Sequence, residues 1–152
     1  MYPPPLNPTT LDRYKARLNH LRPDAVRKWG ALTVTDMMRH LTHTLDLTIG
    51  TEQFPSLATF KTRYIIRYLA LYLAPRWPRG KVKLPDSFTP TAAGDFEAER
   101  TELVAAMGRF VEAAEREPGR KVSHPLFGPF TLRQWQRFHG RHVDHHLSQF
   151  GA

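Results

Sequence analysis

The sequence predicts an all-α fold, a helical bundle with one long crossover, on three observations. Apolar residues recur at helical spacing in several stretches, capping residues and Gly or Pro punctuate the ends of those stretches, and no stretch alternates as a half-buried strand would. A length of 152 residues suits one ordinary domain with one core.

Taken in order, Pro3, Pro4, Pro5 and Pro8 keep the start extended, and Thr9 or Thr10 caps a helix through LDRYKARLNHL toward Arg22. After a break at Pro23 and Gly30, Thr33 and Asp36 form a capping box for TVTDMMRHLTHTLDLTIG, a helix of about four turns closed by Gly50. Beyond Pro55, Ser56 opens LATFKTRYIIRYLALYLA, whose dense apolar content predicts a third, more buried helix stopped by Pro75. PRWPRGKVKLPDSFTPTAAG reads as a long crossover loop. Asp95 then caps a helix whose stripe is Phe96, Leu103, Met107, Phe110 and Val111, ended by Glu117-Pro118-Gly119. SHPLFGPF reads as a turn, and Thr131 with Gln134 makes a capping box for LRQWQRFHGRHVDHHLSQF.

Composition narrows the function classes. Hydrophobic residues are 41% and charged residues 24%, an ordinary globular balance. The longest apolar run, around Tyr68 to Pro75, is far short of the roughly 20 residues that span a bilayer. The start of the chain carries no charged leader followed by an apolar block, so a cytoplasmic location is the default expectation. With no cysteine, a tight metal site has to use His, Asp or Glu, and any thiol nucleophile has to come from outside.

The net charge of +8 raises the possibility of anionic partners such as nucleic acid, phosphate esters or acidic thiols. Lys61 to Lys83 holds seven Lys or Arg and no acid, whereas Asp95 to Glu117 holds seven acids and three arginines. The expectation is that these two segments face one another, ahead of a nucleic-acid surface. Aromatics interleave with the basic segment at Phe60, Tyr64, Tyr68, Tyr72 and Trp77, and bases can stack on such rings. The spacing of four among the tyrosines instead reads as a core stripe.

The ending HGRHVDHHLSQF concentrates four of the eight histidines. At 100° per residue, His139, His142 and His146 share one face with Leu132, Trp135, Val143 and Phe150, while Arg133, Arg137, Arg141, Asp144 and Ser148 fall opposite and His145 lies at the rim. Buried imidazoles cost a few kcal/mol unless paired, and His142 with His146, at i and i+4, can present two nitrogens to one ion. A third candidate is His40, beside the stripe of Val34, Met38, Leu41 and Leu45, whereas His43 projects away from it. Asp36, one turn before His40, is placed either to orient that ring or to cap its helix. The competing reading is that each of these histidines is a core residue.

RHL on an early helix together with HVDHHLSQF on the last resembles the DinB/YfiT-like superfamily of metal-binding four-helix bundles. LRPDAVRKWGALTVTDMMRHL, SHPLFGPFTLRQW and HVDHHLSQFG are similar to one uncharacterised family within it, over about Leu11 to Gly151. The resemblance implies one domain over residues 1–152, a DinB-like bundle with a long crossover loop before the third bundle helix. It also implies a site for a divalent ion, zinc or nickel, on His40, His142 and His146. Some members of the superfamily are metal-dependent transferases or isomerases that use a small thiol, and dimers are common. An arginine that often follows the last ligand in the thiol transferases is Leu147 here. Trp29-Gly30 resembles a helix-boundary anchor with a packing role, and His124-Pro125 a fixture of the turn before the last helix.

Two expectations of function follow. One is a metal-dependent enzyme acting on a small-molecule substrate, as a small-thiol transferase or hydrolase, with Lys61 to Lys83 attracting a carboxylate-bearing cofactor. The other is a non-catalytic helical module whose basic surface binds an acidic partner or nucleic acid.

Overall fold

The computed structural model describes residues 2–50, 56–74, 77–79 and 94–152. The chain is mostly helical, with a small two-stranded sheet. Four α-helices, α1 (Leu11–Asn19), α2 (Val34–Ile49), α3 (Phe96–Arg116) and α4 (Leu132–Gln149), contribute to one hydrophobic cluster. Between α2 and α3, residues 60–73 form a helix that contains two π-helical stretches, Thr62–Ile66 and Leu69–Leu73.

Local chemistry sets the helix starts. The Thr33 hydroxyl accepts from the Asp36 N–H at 3.1 Å and donates to the Asp36 carboxylate at 2.6 Å, so Asp36 serves the cap. Asp95 accepts from the N–H groups of Glu97 and Ala98. Thr131 and Gln134 form the full reciprocal capping box, which fixes where the histidine-bearing helix begins. Thr10 is the residue before α1, but its side chain bonds back to Asn7 and Pro5 and caps nothing.

Periodicity sets the buried faces. In α2 the buried residues are Val34, Met37, Met38, His40, Leu41, Leu45 and Thr48, and in α3 the stripe Phe96, Leu103, Met107, Phe110 and Val111 is buried as its spacing predicts. Each large side chain so buried contributes about 1.5–3 kcal/mol. The N-terminal segment lies across α4: the Leu6 N–H donates to the Gln136 carbonyl at 2.8 Å and the Tyr14 hydroxyl donates to the Pro4 carbonyl at 2.6 Å. Gly140 permits this crossing, because a Cβ there would lie 2.1 Å from the Pro4 carbonyl oxygen.

Four expectations are corrected. SHPLFGPF does more than turn, since Lys121–His124 (β1) and Gly128–Thr131 (β2) pair antiparallel with Val122 opposite Phe130. Strands of four residues are too short for alternation to register in a sequence scan. The third helix is not a buried one: Leu71 is its one buried large side chain, while Phe60, Tyr64, Tyr68 and Leu73 are half to three-quarters exposed. The tyrosine stripe is therefore on the surface. Among the described residues the acidic and basic segments form no ion pair with one another: Glu99 pairs with Arg39, Glu97 with Arg100, Glu102 with Arg109, Glu112 with Arg116 and Glu117 with Arg116 and Arg120, while Arg76, Lys81 and Lys83 of the basic segment lie outside the described residues. Arg67 of the basic segment instead lies over the Phe130 ring at 4.5 Å and donates to Pro129 and Gln134. Finally, Arg141 is buried, donating to the carbonyls of Leu71 and Ala74 and so holding the exposed helix against α4. The crossover loop falls outside the described residues except for Trp77 to Arg79 and Gly94.

Among the described residues, no helix is long and apolar enough to cross a membrane.

Candidate metal centre

Helices α2 and α4 bring His40, His142 and His146 together. Each offers a ring nitrogen, and these three atoms lie within 4.8 Å of one another. Nε2 of His40 is 3.1 Å from Nε2 of His142, and the three ring centroids are 5.0, 5.1 and 4.9 Å apart. His40 and His142 are buried and His146 is partly so. The i, i+4 spacing on α4 stacks two rings one turn apart, and the buried stripe of α2 supplies the third.

Burial works against charge on the two α4 rings of this cluster. Burial, reinforced by the neighbouring rings of His146 and His40, drives His142 well below the usual histidine value, and burial with the adjacent His40 takes His146 to about 3. Neutral rings keep a lone pair on one nitrogen, as a metal ligand must. Two facing Nε2 atoms 3.1 Å apart cannot both carry a proton, so the pair either shares one hydrogen or directs two lone pairs at a common cation. The three rings form a donor set that could hold a metal ion.

The tautomer of His146 is set from outside the cluster. Gln149 donates its amide N–H to the Trp29 carbonyl, leaving its oxygen 3.0 Å from Nδ1 of His146. That oxygen can only accept, so the proton sits on Nδ1 and the lone pair on Nε2. Gly30, at φ +82°, leaves room for this amide, since a Cβ there would lie 2.3 Å from Gln149 Nε2.

A family model for proteins of unknown function, DUF1569, matches residues 3–152. The chain belongs to the DUF1569 family. No curated protein and no solved structure matches it. In this DUF1569 chain the remaining histidines divide by environment. His139, fully buried, donates from Nε2 to the Thr48 hydroxyl at 2.9 Å, because that hydroxyl's own hydrogen goes to the Thr44 carbonyl. It packs against Phe110 and Trp135 and is a core residue one turn behind the cluster, taken down to about 3 by burial. His124 accepts at Nδ1 from the N–H groups of Leu126 and Phe127 and stacks on Phe127, so it fixes the hairpin turn. His43 stands apart from the cluster and His145 borders it, with its ring 5.3 Å from that of His146.

Sequence reasoning missed Gln149 and gave Trp29-Gly30 packing alone. The signal for Gln149 was its place three residues after His146 on the same helix face. The partnership with Trp29 had no local signal, as the two are 120 residues apart.

Proposed function

We propose that this DUF1569 protein is a divalent-metal-dependent enzyme, with His40, His142 and His146 as the ligands of zinc or nickel. The observation that carries this reading is the convergence of three histidine rings from two helices onto one point, with one ring's tautomer fixed by Gln149. A purely structural core has no need of three adjacent imidazoles, each of which loses hydration on burial. The bundle with its triad also supports a DinB-like assignment, as one domain over residues 1–152 located in the cytoplasm.

Three neutral His ligands leave a divalent ion its full charge and an open position, and such an ion acidifies a water or thiol bound there. The reaction class is transfer of a small thiol or hydrolysis of a small substrate. The thiol is an exogenous low-molecular-weight compound, as the chain has no cysteine. The residues of the chain hold and orient: Gln149 keeps the His146 proton on Nδ1, and Trp77, whose ring is 6.0 Å from His142, walls one side against water. A homodimer belongs to this reading, with the exposed face of Phe60, Tyr64, Tyr68 and Leu73 covered by a second copy.

Elemental analysis of untagged protein purified without chelator, beside His142→Ala, tests the assignment. Near-stoichiometric zinc or nickel in the wild type that disappears in the variant is expected. Full metal content in His142→Ala would overturn it.

The exposure of Tyr64, Tyr68 and Tyr72 beside Lys61 and Arg63 supports a second reading, a non-catalytic module that binds an acidic partner or nucleic acid through this face. Binding of a labelled oligonucleotide that weakens steeply with salt is its expected signature. No binding at low salt sinks it.

A further inference from the structure

Beside the triad lies a cleft of about 420 Å³, a size suited to a small organic molecule. Its lining holds four cations, Arg13, Lys28, Arg79 and Arg141, against one acid, Asp144. Asp144 is already engaged, 2.6 Å from Arg17, a residue outside the lining. Among the described residues none of the four cations has a carboxylate within ion-pair distance. Arg141 sharpens the imbalance. It is 4% exposed and bonded to the backbone carbonyls of Leu71 and Ala74, and the one carboxylate that attracts it, Asp144, is shared with Arg17, so its charge is only partly offset.

The walls suit an organic body. Trp29 and Trp77 line the cleft, the Arg79 guanidinium is held over the Trp29 ring at 4.1 Å, and the Trp29 indole N–H is buried without an acceptor. The cleft also shares two walls with the triad. Trp77 stands 6.0 Å from His142, and His145, which lines the cleft, stands 5.3 Å from His146.

We infer that this cleft binds the anionic group of a small organic acid, a carboxylate or phosphate ester, whose body lies along Trp29 and Trp77. Arg79 and Lys28 contact the anion from the rim and Arg141 supplies its field from the floor. Resting on the metal-enzyme reading above, this gives the triad's substrate class: a small molecule anchored by its negative end, with the rest directed along the shared wall.

The test is calorimetric titration of the full-length protein with phenyl phosphate and with benzoate, before and after zinc loading, with zinc content measured in the same samples. Binding of either anion is expected, and the tighter of the two identifies the headgroup. Arg79→Gln with Lys28→Gln is expected to weaken it by about tenfold or more, and Lys121→Gln with Arg133→Gln, which removes the same charge elsewhere, to leave it unchanged. Absence of binding by both anions, or equal weakening by the two double variants, overturns the cleft assignment. Anion binding with the expected variant dependence in protein that never holds zinc upholds the cleft and removes the metal reading.

Discussion

The side-chain oxygen of Gln149 lies 3.0 Å from Nδ1 of His146, and the same amide donates to the carbonyl of Trp29. A loop 120 residues earlier in the chain thereby dictates which nitrogen of His146 is free. Replacing such an orienting partner typically weakens metal binding 10–100-fold. Gln149→Ala is expected to lower zinc affinity by about that factor, read by competition with a chromophoric chelator. Unchanged affinity would show that the amide serves packing alone.

Gly30→Ala is expected to act on the same atom by another route. The new methyl meets Gln149 Nε2, and the residue must hold φ +82°, so the amide has to move. A loss of zinc affinity in the direction of Gln149→Ala, non-additive in the double variant, follows. Additive losses in a double-mutant cycle would separate the two sites.

Acid is expected to unfold chelator-treated protein early. Burial takes His124, His139 and His146 down to about 3, and His142 well below its ordinary value. Below about 6.5 the unfolded chain protonates each ring while the folded chain does not. The stability is therefore present above that pH and is lost as pH falls toward the folded values, by about 1.4 kcal/mol per pH unit for each such ring. Urea midpoints measured from neutral pH down to about pH 5 should fall steeply. A flat profile would mean that these rings are hydrated in solution.

Gly140→Ala is expected to be among the most damaging single-methyl additions in the chain. The methyl would enter the space of the Pro4 carbonyl, with the Pro5 Cα at 2.9 Å behind it, and both obstacles are backbone. A loss of about 2–4 kcal/mol is expected in chemical denaturation.

Tyr68→Ser is expected to leave monomer stability within about 0.5 kcal/mol, because that ring is 54% exposed. In sedimentation the same substitution should weaken self-association. A variant that sediments as the wild type removes this face from the dimer contact.

The helices α2 to α4 were legible because their signals are local, a capping oxygen two or three residues before the N–H it accepts from and apolar stripes at three and four residues, whereas α1 was legible from its stripe and its expected cap was wrong. The triad was legible for the same reason on α4, where His142 and His146 are one turn apart, and less directly on α2, where His40 had to be chosen over His43 from the stripe beside it. What local reading could not give was the environment of residues 60–73. Their apolar density matches that of a buried helix, and density alone carries no information on whether a partner element exists to cover it. Arg141 was misplaced for a related reason. Its helical angle is outward, but the carbonyls of Leu71 and Ala74 lie over that face and bury it.

His40 and His142 are separated by 102 positions, yet their nitrogens meet at 3.1 Å. Closing a ring of chain that long carries an entropic cost. Any ion gripping both ends acts as a removable rivet on the finished tertiary structure and holds the unfolded chain, where the histidines are scattered, far more weakly. By mass action it raises the melting temperature with its own concentration. Thermal melting against added metal therefore converts a question about coordination into one about how firmly the two ends of the chain are kept together.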